Sequence, residues 1–309
     1  MRLITGPSLA ALLAALLAAV PAHAAPKPAD APGTIAERDR ADAGPRAVQL
    51  LLAQKEIETS FDVGRVAAAY GGGILDSLII SAMDNKKQVM TANLREKALV
   101  TVRPLHAALA SFDVDALALT TTQAALAKPG WLNPLPFAVT KDASPAVRSA
   151  FVAGAETPGL ALVAYRYDLS PDFTQIRVTA DIALARKPAA KGGKPPTTAS
   201  DFYRQRIASI VQLGKRSYEH GDNVAQWSAD DGKLARTALT TAFAEIERLI
   251  PYALALGPAD VARFTAKNRE KAFAAGLYAP LVERAADGSD AVLIWSNGLV
   301  HIRTLPAGS

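Results

Sequence analysis

LALVAYRYDL (residues 160–169), Ser170-Pro171-Asp172 and QIRVTADIALA (residues 175–185) set the architecture of this chain. In the second run Ile176, Val178, Ala180, Ile182 and Leu184 alternate with Gln175, Arg177, Thr179, Asp181 and Ala183, while Val163, Tyr165, Tyr167 and Leu169 share one side of the first. Successive strand residues point to opposite faces, so this alternation specifies two half-buried strands. Pro171 presets φ at the first central turn position and Asp172 suits the second. A third strand is expected over residues 203–213, beyond a Lys-, Gly- and Pro-rich loop at 187–200 that reads as exposed.

Downstream, Leu239, Phe243, Ile246, Ile250 and Leu254 fall on one helical stripe, opposite Thr237, Thr241, Glu245 and Arg248. This predicts a helix over 233–256, kinked at Pro251 and ended by Gly257-Pro258. Three short apolar runs, 280–286, 290–295 and 299–304, are separated by Asp287-Gly288 and Asn297-Gly298, which is the signature of a β-meander. Upstream, residues 56–63 alternate as a half-buried strand. Gly71-Gly72-Gly73 then opens an apolar segment over 74–83 that reads as a buried helix. Its apolar phase shifts near Asn85–Lys87, predicting a bend there, and Pro104 predicts an end near Arg103. A further helix is expected over 114–127, stopped by Pro129-Gly130. The architecture expected is α+β: an antiparallel sheet with a C-terminal meander, covered on one face by two long helices, 74–103 and 233–256.

The first twenty-four residues carry Arg2, an apolar block from Leu9 to Val20 and the small-residue site Ala22-His23-Ala24. They read as a secretory signal cleaved between Ala24 and Ala25, because crossing a bilayer takes roughly twenty apolar residues. Residues 25–46 hold Pro26, Pro28, Pro32, Gly33 and Pro45 and read as a disordered linker. Residues 47–309 then form a single α+β domain with a possible helical subregion at 72–130. Half the residues are hydrophobic and the net charge is +5, a composition that folds and does not call for nucleic acid as a partner. With no cysteine, disulfides, thiolate metal sites and cysteine nucleophiles are excluded.

No arrangement of side chains in the sequence specifies one reaction. Gly71-x-Gly73 is a fragment of a phosphate-binding turn, but Asp76 stands where the third glycine would fall, so Gly71, Gly72 and Gly73 read as a helix-packing turn. Glu219-His220-x-Asp222 groups three potential metal ligands without a ligating spacing, so a solvated loop explains it better. His301, in the expected last strand, reads as a half-buried or surface histidine rather than a base. There is no GxSxG and no SxxK, although a triad is defined by geometry rather than order. Glu156, Asp168, Asp172 and Asp181 remain as carboxylates of the kind a glycosidase needs, with turn and strand-face solvation as their ordinary role. Lys191 and Lys194 in the loop, with Arg204 and Arg206 in the strand after it, form a possible basic patch. No catalytic, cofactor or metal-binding residues are assigned.

The strand ending at Val63, the triple glycine, ILDSLIISA (74–82) with Asn85-Lys86-Lys87, and YRYDLSPDF (165–173) resemble exported proteins of Gram-negative bacteria that carry no known activity. The resemblance spans most of the mature chain and implies a periplasmic address. The function expected is a non-catalytic binding or structural component of the cell envelope, whose partner is a protein, lipid or wall polymer. The alternative is a periplasmic hydrolase with a carboxylate or serine centre assembled only in the fold.

Overall fold

The computed structural model describes residues 32–42, 44–59, 85–190, 195–266, 269–271, 278–295 and 298–306. The expected signal, Gly71 to Gly73 and the 74–83 helix lie outside the described residues. The fold is α+β. In chain order it comprises α1 (Glu37–Ala41), β1 (Arg46–Leu51), β2 (Glu58–Thr59), α2 (Asn85–Leu109), α3 (Val114–Ala127), β3 (Pro134–Thr140), α4 (Pro145–Gly154), β4 (Gly159–Leu169) and β5 (Gln175–Arg186). There follow β6 (Ser200–Gln212), α5 (His220–Ala255), α6 (Pro258–Thr265), β7 (Arg269–Lys271), β8 (Tyr278–Arg284), β9 (Asp290–Trp295) and β10 (Gly298–Thr304).

The hairpin is β4 and β5, paired antiparallel with Tyr165 opposite Ala180. Its turn closes through Phe173 N–H donating to Ser170 O (2.8 Å). Phe173 then sits at φ 55°, a left-handed conformation that costs about 1–2 kcal/mol. Local and tertiary bonds hold it there. The Ser170 hydroxyl accepts from the backbone N–H groups of Thr174 (3.1 Å) and Gln175 (3.0 Å), and Phe173 O accepts from Trp227 Nε1 (2.8 Å). Both aromatic side chains are buried.

Strand order is β3-β1-β4-β5-β6-β10-β9-β8-β7, with β2 added to β4. The meander β8–β9–β10 is antiparallel, as its turns predict, but the whole sheet is mixed. Parallel pairs join β1 to both β3 and β4, and β10 to β6. Parallel neighbours need a long crossover, and here the helical segments supply it. Three strands, β1, β3 and the short β7, have no counterpart in the sequence reading. β1 lies between two parallel neighbours with Val48 and Leu50 fully buried, and β3 carries Pro134 and Pro136 at the sheet edge, where a missing donor is tolerated.

One face of the sheet packs against α5, flanked by α2 and α3. Tyr165 and Phe243 stack at 5.3 Å between centroids, and the Tyr165 hydroxyl meets Thr122 Oγ1 on α3 at 3.1 Å. α4 covers Leu160 and Ala185 on the opposite face.

Three helix details differ from the sequence reading. α2 does not stop at Arg103 but continues through Pro104 to Leu109. Interior proline costs about 3 kcal/mol, yet Val102 and Leu105 on either side are fully buried. Their combined burial offsets that cost, at roughly 1.5–3 kcal/mol each. α5 joins two helical stretches: the expected one does start at 233, but a further stretch from His220 precedes it across a break at Ala229–Gly232, with Asp230, Asp231 and Gly232 all at positive φ, while Pro251 sits in helical backbone. Arg236 pins this break by donating to Ala108 O (2.7 Å) and Asp231 O (2.9 Å).

The described part of the expected linker, Pro32 to Pro45, is packed rather than free. Ile35 and Asp39 are buried, Asp39 pairs with Arg186 (2.7 Å), and Arg46 donates to the carbonyls of Asp42 (3.0 Å) and Gly44 (3.1 Å). The segment is poor in apolar residues, so its anchoring comes from ion pairs and hydrogen bonds that composition does not reveal.

Candidate functional site

Under α5 the sheet buries a polar cluster. Ser209 on β6 stands directly opposite His301 on β10 in the parallel register. Both side chains point to the helical face and both residues are fully buried. Ser209 Oγ lies 2.7 Å from His301 Nδ1. On the other side of the ring, Asp290 of β9 brings Oδ1 into ion-pair contact with His301 Nε2, although not along a hydrogen-bonding direction.

Two arginines hold the surrounding carboxylates. Arg303 donates to Asp290 Oδ2 from Nε (2.9 Å) and Nη2 (2.6 Å). Arg248 on α5 donates from Nε to Glu245 Oε2 (2.9 Å), and its Nη2 pairs with Glu283 of β8. Glu245 overhangs the ring, so that donor atoms of Glu245, Asp290 and His301 all lie within 4.8 Å of one another. Burial alone would raise the Asp290 carboxyl, but His301 and Arg303 outweigh it and hold it below its ordinary value of 3.8. Arg248 loses hydration on burial too, yet Glu283 and Glu245 hold its pKa above the ordinary one.

Serine, histidine and aspartate in series have the residue types of an acyl-transfer triad. Position removes that chemistry, because Ser209 and His301 have no solvent-accessible surface for an ester or amide to approach. The cluster can fix α5 to the meander and can hold a small ion.

The residues singled out in sequence are dispersed. Ala24, Ala25, Gly71, Gly72, Gly73, Lys191 and Lys194 lie outside the described residues. The arginines of the expected basic patch are charge-compensated: Arg206 forks onto Asp181 (2.7 and 3.3 Å), its partner in cross-strand register, and Arg204 pairs with Asp201 at 2.5 Å. Asp172 is a turn cap, accepting from Ser170 Oγ (2.5 Å) and Thr174 Oγ1 (2.9 Å). Asp168 lies on β4 beside Arg177 in register. Glu156 lines a shallow hollow of about 380 Å³ with Leu135, Pro136 and Phe151. No two of Glu156, Asp168, Asp172 and Asp181 share a site. Glu219, His220 and Asp222 diverge at the start of α5: the His220 ring meets Phe173 edge-on, whereas Asp222 accepts from Ser217 Oγ (2.8 Å). His301 is not half-buried but enclosed.

A signal for the cluster exists in the sequence. Ser209 interrupts the apolar phase Ile207, Val211 of β6, and His301 continues the phase of Leu299 in β10. Polar residues in an apolar stripe mark a buried polar site, though not its partners.

No protein-family model, curated protein or solved structure matches the chain. Among the described residues, no helix is long and apolar enough to cross a membrane.

Proposed function

We propose that the protein is exported to the periplasm and acts there as a non-catalytic component of the cell envelope, binding or bracing a protein, lipid or wall polymer. One observation carries this reading: the only Ser-His-Asp series assembled among the described residues is closed beneath α5. Catalytic groups must reach a substrate, whereas a sealed polar network serves to fix the elements around it. A hollow between β3 and α4 supports the same reading, since it is open and shallow and carries no charge except Glu156. The leader supports the address.

The test is a fractionation followed by crosslinking in intact cells. The expected result is recovery in the periplasmic extract, shortened by the leader, and one reproducible crosslinked envelope partner. Full-length protein in the cytosol overturns the address. Labelling of Ser209 by a fluorophosphonate in the folded protein, together with ester or amide turnover, overturns the non-catalytic assignment in favour of the hydrolase.

A further inference from the structure

We infer that Glu245, Asp290 and His301 form a binding site for a divalent transition-metal cation of the zinc class. This inference does not depend on the proposed function. The donor set is one imidazole nitrogen and two carboxylate oxygens, all mutually within 4.8 Å, drawn from α5, β9 and β10. Zinc takes these ligands at about 2.0–2.2 Å.

The histidine supplies the independent observation. Its Nδ1 is engaged by Ser209 Oγ at 2.7 Å, while its Nε2 is fully buried and meets Asp290 Oδ1 off a hydrogen-bonding direction. With the ring proton on Nδ1 and donated to Ser209, Nε2 presents a lone pair to the Asp290 carboxylate. Two electron-rich atoms in contact inside a protein repel each other unless a proton or a cation beside them compensates their charge. A proton on Nε2 serves two atoms and would favour a straight N–H···O bond, which the contact does not make. A cation serves all three donors, including Glu245, which a proton leaves out.

The outer partners fit the same occupant. Metal-bound histidines donate their second nitrogen to an oxygen, and metal-bound carboxylates are themselves hydrogen-bonded. Here Ser209 takes the first role. Arg303 holds Asp290 by Oδ2 and Arg248 holds Glu245 by Oε2, which leaves Asp290 Oδ1 turned to the ring. The charge count permits the ion: three carboxylates, Glu245, Glu283 and Asp290, face two guanidiniums, Arg248 and Arg303. The carboxylates and guanidiniums alone sum to one net negative charge, which a divalent cation reverses.

The experiment uses the purified, chelator-dialysed mature protein titrated with zinc by calorimetry, with cobalt as a spectroscopic probe. One equivalent should bind, cobalt should show d–d absorption with a nitrogen ligand, and the unfolding temperature should rise with zinc and fall on chelation. His301→Ala should abolish binding. Because that variant could fail to fold, Ser209→Ala and Glu245→Gln provide a second arm, each expected to weaken binding about 10- to 100-fold with the circular dichroism spectrum retained. Absence of stoichiometric binding overturns the site. So does binding indifferent to Glu245→Gln and Ser209→Ala, or a 15N spectrum showing a His301 imidazolium that zinc does not displace.

Discussion

The two halves of the sheet bury very different things against the same helix. Over β4 and β5 the inner face is Val163, Tyr165, Tyr167, Leu169, Ile176, Val178, Ala180, Ile182 and Leu184, and the Tyr165 hydroxyl is matched by Thr122. Over β6, β10 and β9 the same layer holds Ser209, His301, Asp290 and Arg303 beneath Glu245 and Arg248. The first half is stable through non-directional removal of apolar surface from water. The second adds to its own aliphatic residues, Ile207, Val211, Val292 and Leu299, a polar group that works as a matched set, since removing one member of a buried ionic group strands the others.

The largest effect should come from the apolar half. Phe243→Ala deletes the ring stacked on Tyr165, and a loss of about 3–5 kcal/mol is expected in denaturant unfolding, unchanged between pH 6 and pH 3. Asp290→Ala breaks the matched set while Asp290 keeps some solvent contact, so roughly 2–3 kcal/mol is expected at pH 7, read from the same titration. A deficit below 0.5 kcal/mol would show that the cluster contributes nothing net.

The pH dependence separates the halves further. The Asp290 carboxyl is held below 3.8, as is that of Asp172, where burial is outweighed by hydrogen bonds from Ser170 and Thr174. A depressed carboxyl stabilises the fold fully above its unfolded pKa of about 3.9 and loses that contribution as pH falls through the lower folded value. The gap between wild type and Asp290→Ala should therefore close below about pH 4, measured by thermal unfolding from pH 6 to pH 2. The smallest effect is expected for Arg204→Ala, whose exposed pair with Asp201 is worth about 0.2–1 kcal/mol and should fade in 0.5 M salt.

This contrast also explains what was legible from sequence. Alternation marks β4 and β5, apolar runs split by Asp287-Gly288 and Asn297-Gly298 mark the meander, and Leu and Ala content with a flanking Pro-Gly marks α3, because each of those signals is local. β1 was hidden because RAVQLL is buried on both sides between two parallel strands, so that Val48, Gln49 and Leu50 are enclosed in succession and the period of two is lost. Pro104 misled because the rule for proline is local, while Val102 and Leu105 answer to the tertiary core. The polar cluster stayed invisible for a different reason: Ser209 and His301 are 92 residues apart and meet only through the parallel register of β6 with β10. The fold is therefore readable where one strand predicts its own environment, and the site is not, because its meaning lies in pairing.

Gly298 shows how tightly that pairing is made, since a β-carbon there would collide with the Arg206 carbonyl. β10 sits between β6 and β9, yet it is the last of the ten strands to leave the ribosome. Until it arrives, the nascent chain has two unfinished sheets, each with a bare hydrogen-bonding flank open to wrong partners.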